Sequence, residues 1–389
     1  MTNSLINTSR AQKWIPILGV LIFAFASFRA PGVTNTAPTY SIPTLFSLIQ
    51  SVSLSLIGGA LLGTFIIILI TKDRIFFKKP SAASICYLIF GQILVLTDFF
   101  YSFKVGPMLL DLSFNFIIFY YFSYIISSYK FNGKGVAFLN ISFYGILCFV
   151  GLNLILYLFN IGSMVWKGRF FGLTSQPNFI GMCGGVMSVL ASALFIESKT
   201  FNKKFLLSLA ILAGFLLAFL AQSRSSMLSA FTGCAFIAIM SLQNQHVRFF
   251  SILTCFCIAV FLYFNVNISD YDYTDRGNTR EGTWKTLETY AKTFPIFGYG
   301  REDIPTSNSY MFAFVSAGVV GSFFLFASLI LGIRKLIILH FVGGAKLRHA
   351  TAAYGGLIFF FLTGAIFEGL LLDNVSIPVF VFWAILSFA

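Results

Sequence analysis

Residues 46–79 read FSLIQSVSLSLIGGALLGTFIIILITKDRIFFKK. The run from 46 to 70 carries no charge, and Lys72, Arg74, Lys78 and Lys79 then follow within one short segment. A helix needs about 17 to 25 mostly apolar residues to cross the hydrocarbon core of a bilayer, so this run is long enough to span it. The basic cluster behind it marks the cytoplasmic side.

The same alternation of apolar run and polar punctuation extends in both directions. Runs of spanning length fall at 12–28, 46–70, 82–103, 106–127, 136–159, 177–197, 204–221, 225–242, 248–266, 308–332, 351–371 and 374–388. The fold class expected is all-α, a single integral membrane domain covering 1–389 with about twelve transmembrane helices. Composition agrees: 58% of residues are hydrophobic and 10% charged, where a soluble domain carries about 25% charged residues. Fifty Phe and sixteen Tyr point to helices packed by large side chains. Soluble enzyme classes are excluded. The net charge of +13 needs no nucleic-acid partner, because basic cytoplasmic loops account for most of it. The six cysteines all lie inside apolar runs without metal-ligand spacing and read as small core hydrophobes. No cleavable signal is expected, since the first apolar run leads into Arg29-Ala-Pro rather than a small-residue cleavage site.

With the N-terminus inside, the inward segments 1–11, 71–81, 128–135, 198–203, 243–247 and 333–350 and their helix edges carry sixteen Lys and Arg, and the outward side carries ten. That asymmetry predicts both termini in the cytoplasm. The outward cations are richer in arginine: Arg29, Arg169, Arg224, Arg276, Arg280 and Arg301. A guanidinium fork matches two phosphate oxygens, whereas an ammonium is a point charge. Snorkelling to lipid headgroups is the competing explanation for each.

Residues 267–306 form the one long hydrophilic loop, between the ninth and tenth spans, with seven acids and five Lys and Arg in forty residues. Within it Trp284, Leu287, Ala291 and Phe294 recur on one helical face, and Glu288 and Lys292 stand i, i+4 on the other. Pro295 ends the pattern. The expectation is a short amphipathic helix lying on the outer membrane surface with its apolar face down.

Four outward segments form an ordered set. Arg169-Phe-Phe-Gly-Leu-Thr-Ser-Gln-Pro-Asn178 leads into the sixth span, and Gln222-Ser-Arg224-Ser-Ser joins the seventh to the eighth. Arg280-Glu-Gly-Thr-Trp284 opens the amphipathic helix and is followed by Pro295-Ile-Phe-Gly-Tyr-Gly300. Ser307-Asn308 and, after nine intervening residues, Gly318-Val-Val-Gly321 open the tenth span. In order and setting these resemble the O-antigen ligase and polymerase superfamily over residues 165–325. The resemblance implies a GT-C-like membrane glycosyltransferase whose donor is a glycan on a polyprenyl pyrophosphate, such as undecaprenyl pyrophosphate. It implies catalytic roles for Arg169, Arg224, Arg280, Ser307 and Asn308, and substrate binding by Arg276, Asn178, Trp284 and Tyr310. Fixed cations aimed at the pyrophosphate leaving group would stabilise the transition state.

One departure from the pattern bears on activity. The residue before Asn308 is histidine in the ligase form, where it serves as base, and here it is Ser307. The chain's histidines, His246, His340 and His349, all map to inward segments. Candidate bases are therefore outward acids: Glu281, Asp303 with its neighbour Glu302, and Glu368, which lies in a Phe-Glu-Gly-Leu segment similar to one near the family's C-terminus. Asp98, Asp111 and Asp373 also sit at span ends and qualify as functional carboxylates. The expectation is a polymerase of lipid-linked repeat units in a bacterial inner membrane, its site facing the periplasm. A ligase of finished glycan, a lipid-linked oligosaccharide flippase and a non-catalytic scaffold are the alternatives. Expected partners are the polyprenyl-pyrophosphate-linked glycan, membrane lipid and assembly proteins such as a flippase or chain-length regulator. No cofactor and no metal are expected, and the triplet Asp270-Tyr-Asp272 is read as chance.

Overall fold

The computed structural model describes residues 4–28, 43–71, 79–126, 137–161, 164–166, 168–174, 176–242, 279–301, 308–342, 344–371 and 375–388. These form α1 (Ser4–Phe28), α2 (Thr44–Thr71), α3 (Ala82–Ser102), α4 (Val105–Tyr120, running into a π-helical turn Tyr121–Ile126) and α5 (Ala137–Leu158). A two-stranded ribbon, β1 (Val165–Trp166) and β2 (Arg169–Phe170), leads to α6 (Pro177–Glu197), α7 (Phe201–Leu220) and α8 (Arg224–Ser241). Then come α9 (Thr279–Thr293), α10 (Ser309–Val342), α11 (Gly344–Phe367) and α12 (Ile377–Phe388).

Eight of the described helices are long and apolar enough to cross a membrane: α2, α3, α4 with its π turn, α5, α6, α7, α10 and α11. Residues 14–28 of α1 and 377–387 of α12 are apolar but shorter. Helix α8 covers the predicted eighth span, and the ninth, 248–266, lies outside the described residues. The protein is thus an all-α, polytopic membrane fold.

Helix α6 is its centre. Of its spanning window 83% is buried inside the protein, against 33% for α2 at the periphery. Small residues make this possible, because bilayer helices associate by close backbone approach rather than by a hydrophobic force. A Cβ at Gly184 of α6 would strike Gly214 O of α7, and one at Gly233 of α8 would stand 2.8 Å from Gly356 O of α11. Large side chains fill the flank around α12, where Phe23, Phe122 and Phe380 interlock and Tyr87 packs edge-on to Trp383 at 4.6 Å. The cysteines divide: Cys183 is wholly buried, while Cys148 is exposed on α5 and so is not a core residue.

Two sequence expectations change. Helix α9 has the predicted pattern, with Glu288 and Lys292 paired at 2.7 Å, but its apolar face is turned to the protein. Leu287 is completely buried, and Trp284, Tyr290 and Ala291 pack on the core. The tenth span, expected at 308–332, runs on to Val342 and is broken at Gly318, whose φ of 64° and ψ of −168° lie outside any helix. Within Gly318-Val-Val-Gly321 the first glycine marks the break, and the second lies close to Ile93 of α3.

Candidate active site

The site is assembled at the end of the bundle where α3, α5, α7 and α11 finish and α4, α6, α8 and α10 begin. Its first part is the ribbon. Left-handed Gly168, φ 72°, turns the chain so that Trp166 pairs with Arg169 and Val165 with Phe170. Left-handed Gly172 follows against Asn153 of α5, leaving no room there for a side chain. Asn153 is fully buried; its Oδ1 accepts from Leu173 N at 2.7 Å, while Gln50 Nε2 of α2 donates to Leu173 O. Neither residue was singled out from sequence. The available signal was an amide side chain inside an apolar run, since burying one costs free energy unless it is hydrogen-bonded.

Held this way, Arg169 donates from Nε to Ala221 O at 3.1 Å and from Nη2 to Asn178 Oδ1 at 2.6 Å. Gln222, itself left-handed, donates to Gly168 O at 3.1 Å. Two motif segments separated by about fifty residues are thereby joined. The Gln222-Ser-Arg224 turn starts α8 with Ser223 as the preceding cap residue, and Arg224 stands exposed at the first helical position.

The serines behind it reach the carboxylate. Ser223 and Ser226 share a 2.6 Å hydrogen bond, Ser226 makes a weak 3.5 Å contact to Asn178 O, and Ser225 Oγ donates to Glu368 Oε1 at 3.0 Å. Glu368 is half-buried at the end of α11. Its own carbonyl accepts from Ser309 Oγ at 2.6 Å, and Ser309 Oγ in turn accepts from Leu371 N at 3.3 Å. Ser309, Ser225 and Ser226, absent from the sequence-derived set, are therefore part of the site's frame. Asn308 caps α10, its Oδ1 accepting from Tyr310 N at 2.9 Å and Met311 N at 3.1 Å. Those bonds satisfy two of the amides that a helix start leaves open. Tyr310 OH donates to Leu362 O at 3.2 Å, which ties α10 to α11.

The structure thus brings together Arg169, Asn178, Arg224, Asn308 and Glu368. Trp284 lies on α9, packed against the core, with its indole N–H buried and unpartnered among the described residues. Arg280 and Glu281 occupy the first turn of α9, where only the backbone is described. Arg276, Glu302, Asp303, Ser307 and Asp373 lie outside the described residues, as do Asp270 and Asp272. Among the described residues no group of three His, Cys, Asp or Glu is arranged to hold a metal ion.

A second charged cluster flanks the first. The Pro295-Ile-Phe-Gly-Tyr-Gly300 segment inserts into the break of α10: Tyr299 N donates to Val315 O at 2.7 Å and Gly300 N to Ser316 O at 3.0 Å. On the other side of the break Val319 N donates to Pro295 O at 2.9 Å and Val320 N to Ile296 O at 3.3 Å. The loop replaces the hydrogen bonds that a broken helix loses, which is the condition for irregular backbone at membrane depth. Thr97 and Tyr101 of α3 donate to Phe297 O and Gly298 O, both at 3.2 Å. Arg301 follows at once, with its backbone N–H and Nε on Asp98 and its Nη2 on Asp111 at 3.0 Å. Asp98 and Asp111, expected as candidate functional carboxylates, hold an arginine.

Fold and cluster together define a polytopic membrane protein with an arginine, serine and carboxylate site at one end of its helix bundle. Residues 208–326 match the family model described as O-Antigen ligase, which supports the resemblance to the O-antigen ligase and polymerase superfamily read from the motifs. The matched stretch holds most of α7, then α8, α9, the inserted loop and the broken start of α10. No curated protein matches the chain.

Proposed function

We propose that the chain is a membrane glycosyltransferase that polymerises oligosaccharide repeat units carried on polyprenyl pyrophosphate, its site opening to the periplasmic face of a bacterial inner membrane. The observation that carries this reading is the linkage of Arg169 and the Arg224 turn, through Asn178, Ser226, Ser223 and Ser225, to the carboxylate of Glu368. Glycosyl transfer needs both kinds of group. A hydroxyl oxygen of the acceptor repeat attacks the anomeric carbon of the donor, the bond from that carbon to the pyrophosphate oxygen breaks, and the leaving group takes the electron pair. Arg169 and Arg224, joined by Arg280, stabilise the charge that develops on the pyrophosphate. Glu368 accepts the hydroxyl proton, positioned by the Ser225 hydroxyl on its Oε1. No metal is part of the proposed step, because the guanidinium groups supply the charge stabilisation.

Polymerisation is preferred over ligation because the described histidines lie far from the cluster. His340 lies about 33 Å of helical rise beyond the break at Gly318, and His349 lies near the opposite end of α11. A second reading, transfer of finished glycan to a final acceptor, draws support from the description of the matched family. Deleting the protein separates the two. A polymerase's loss leaves single repeats attached to the final acceptor, whereas a ligase's loss strands full-length chains on the carrier lipid. Stranded long chains would overturn the polymerase reading. Purified protein that releases no polyprenyl pyrophosphate from a lipid-linked repeat would overturn both.

A further inference from the structure

We infer that Arg301 is a positioning residue, fixing through the inserted loop the half-helix that carries Ser309 and so the corner at Glu368. The inference rests on the proposed glycosyl transfer for its activity readout alone.

The argument starts from the break. An unbroken transmembrane helix passes orientation along its length, because each N–H is bonded to the carbonyl four residues earlier. At Gly318 that relay stops, and the segment Ser309–Ala317 becomes a short half-helix of about 13 Å with no rigid continuation to set its tilt. Its direction falls to what grips its two ends. At one end Ser309 Oγ holds Glu368 O, and Asn308 caps the first turn. At the other, Val315 O and Ser316 O are taken by the amides of Tyr299 and Gly300. The residue after Gly300 is Arg301.

Arg301 is anchored more firmly than a surface ion pair. Its side chain is 24% exposed, against 17% for Asp98 and 33% for Asp111, so the three groups are largely withdrawn from water. Asp98 on α3 takes two of its donors and Asp111 on α4 a third, which fixes the guanidinium relative to two spans at once. Losing Arg301 would leave two poorly solvated carboxylates without the guanidinium between them, so the cluster depends on the arginine. The path from the α3–α4 corner to Glu368 that starts at a charged side chain runs through Arg301, two backbone hydrogen bonds, two helical turns and Ser309, beside the Thr97 and Tyr101 bonds that tie α3 to the same loop. A role confined to general stability would not follow this path.

The test uses the full-length protein in lipid nanodiscs, comparing Arg301→Gln, Arg301→Lys, Asp98→Asn and Asp111→Asn with the parent. Amide hydrogen exchange is read at Tyr299, Gly300 and Ser309–Ser316, with α6 as the internal reference. The expected result for Arg301→Gln is exchange faster by about tenfold in those segments and unchanged in α6. Turnover of the lipid-linked repeat should fall by about 100-fold with KM within about twofold, the signature of a displaced site rather than lost binding. Arg301→Lys should recover part of both readouts, and Asp98→Asn should exceed Asp111→Asn because Asp98 holds the backbone N–H as well. Unchanged exchange over Ser309–Ser316 would overturn the inference, as would loosening that extends equally to α6, or normal turnover from a loosened half-helix. A parent protein that turns over no lipid-linked repeat would refute the proposed function, and the exchange comparison would still decide what Arg301 holds.

Discussion

Arg169 is gripped by the carbonyl of Ala221 and the side-chain amide of Asn178, whereas Arg301 is gripped by the carboxylates of Asp98 and Asp111. Both arginines lie at the same end of the bundle, both are partly buried, and both close a link between segments far apart in sequence. These contacts differ in the kind of acceptor. Ala221 O and Asn178 Oδ1 are neutral acceptors that set the plane of the Arg169 fork. Two carboxylates orient the fork and cancel its charge, which suits a clamp. Arginine content on one face of a membrane protein is thus a poor guide to function until the partner of each fork is known.

The largest effect expected from this contrast is at Arg169. Arg169→Ala should lower chain elongation by about 100-fold to 1,000-fold at unchanged membrane abundance, as removal of one transition-state donor does elsewhere. Arg169→Lys should rescue poorly, because an ammonium cannot serve Ala221 O, Asn178 Oδ1 and a phosphate with one planar fork. Polymer length on gels against abundance by immunoblot checks this, and full rescue by Lys would reduce Arg169 to a generic cation. Glu368→Gln comes next. It keeps an oxygen for Ser225 but cannot take a proton, so turnover should drop by about 100-fold or more while KM changes little. Retained turnover in purified Glu368→Gln would remove the carboxylate from the mechanism.

Gly318 tests the clamp side. Its backbone conformation is one that glycine alone adopts readily, and a Cβ there would strike Ile296 O. Gly318→Ala should cost on the order of 2 kcal/mol of stability in a thermal-unfolding series. An unchanged melting temperature would mean that the loop does not depend on the break. The smallest effect belongs to Lys292, paired with Glu288 on the exposed face of α9, where Lys292→Ala should leave elongation and melting within error. A clear loss of elongation in that variant would move the site boundary outward onto α9.

Much of this arrangement was readable before any contact was known. Apolar runs of spanning length are a local property of sequence, and so are the period of α9, its Glu288 and Lys292 pair and its stop at Pro295. The Pro295-Ile-Phe-Gly-Tyr-Gly300 segment was legible only as a motif, and the structure shows Gly298 and Gly300 left-handed, at φ 77° and 85°. The motifs also pointed to Arg169, Asn178 and Glu368, which the fold brings into one network. The same reading misjudged the environment of α9, because periodicity shows that one face is apolar without showing whether lipid or protein covers it.

What composition and periodicity determined on their own is the class of the molecule, a helical bundle with bilayer for solvent, since burial of backbone polar groups in hydrocarbon leaves few other solutions. Tertiary structure alone decided the rest. That Asn308 caps a helix, that Ser225 meets Glu368 across 143 residues of chain, and that Arg301 belongs to Asp98 across 203 follow from which helices become neighbours. The physical reason is one of range: a helical pattern is set by residues three and four apart, whereas the partner of a charge is set by packing among spans whose lipid-facing and protein-facing surfaces are equally apolar.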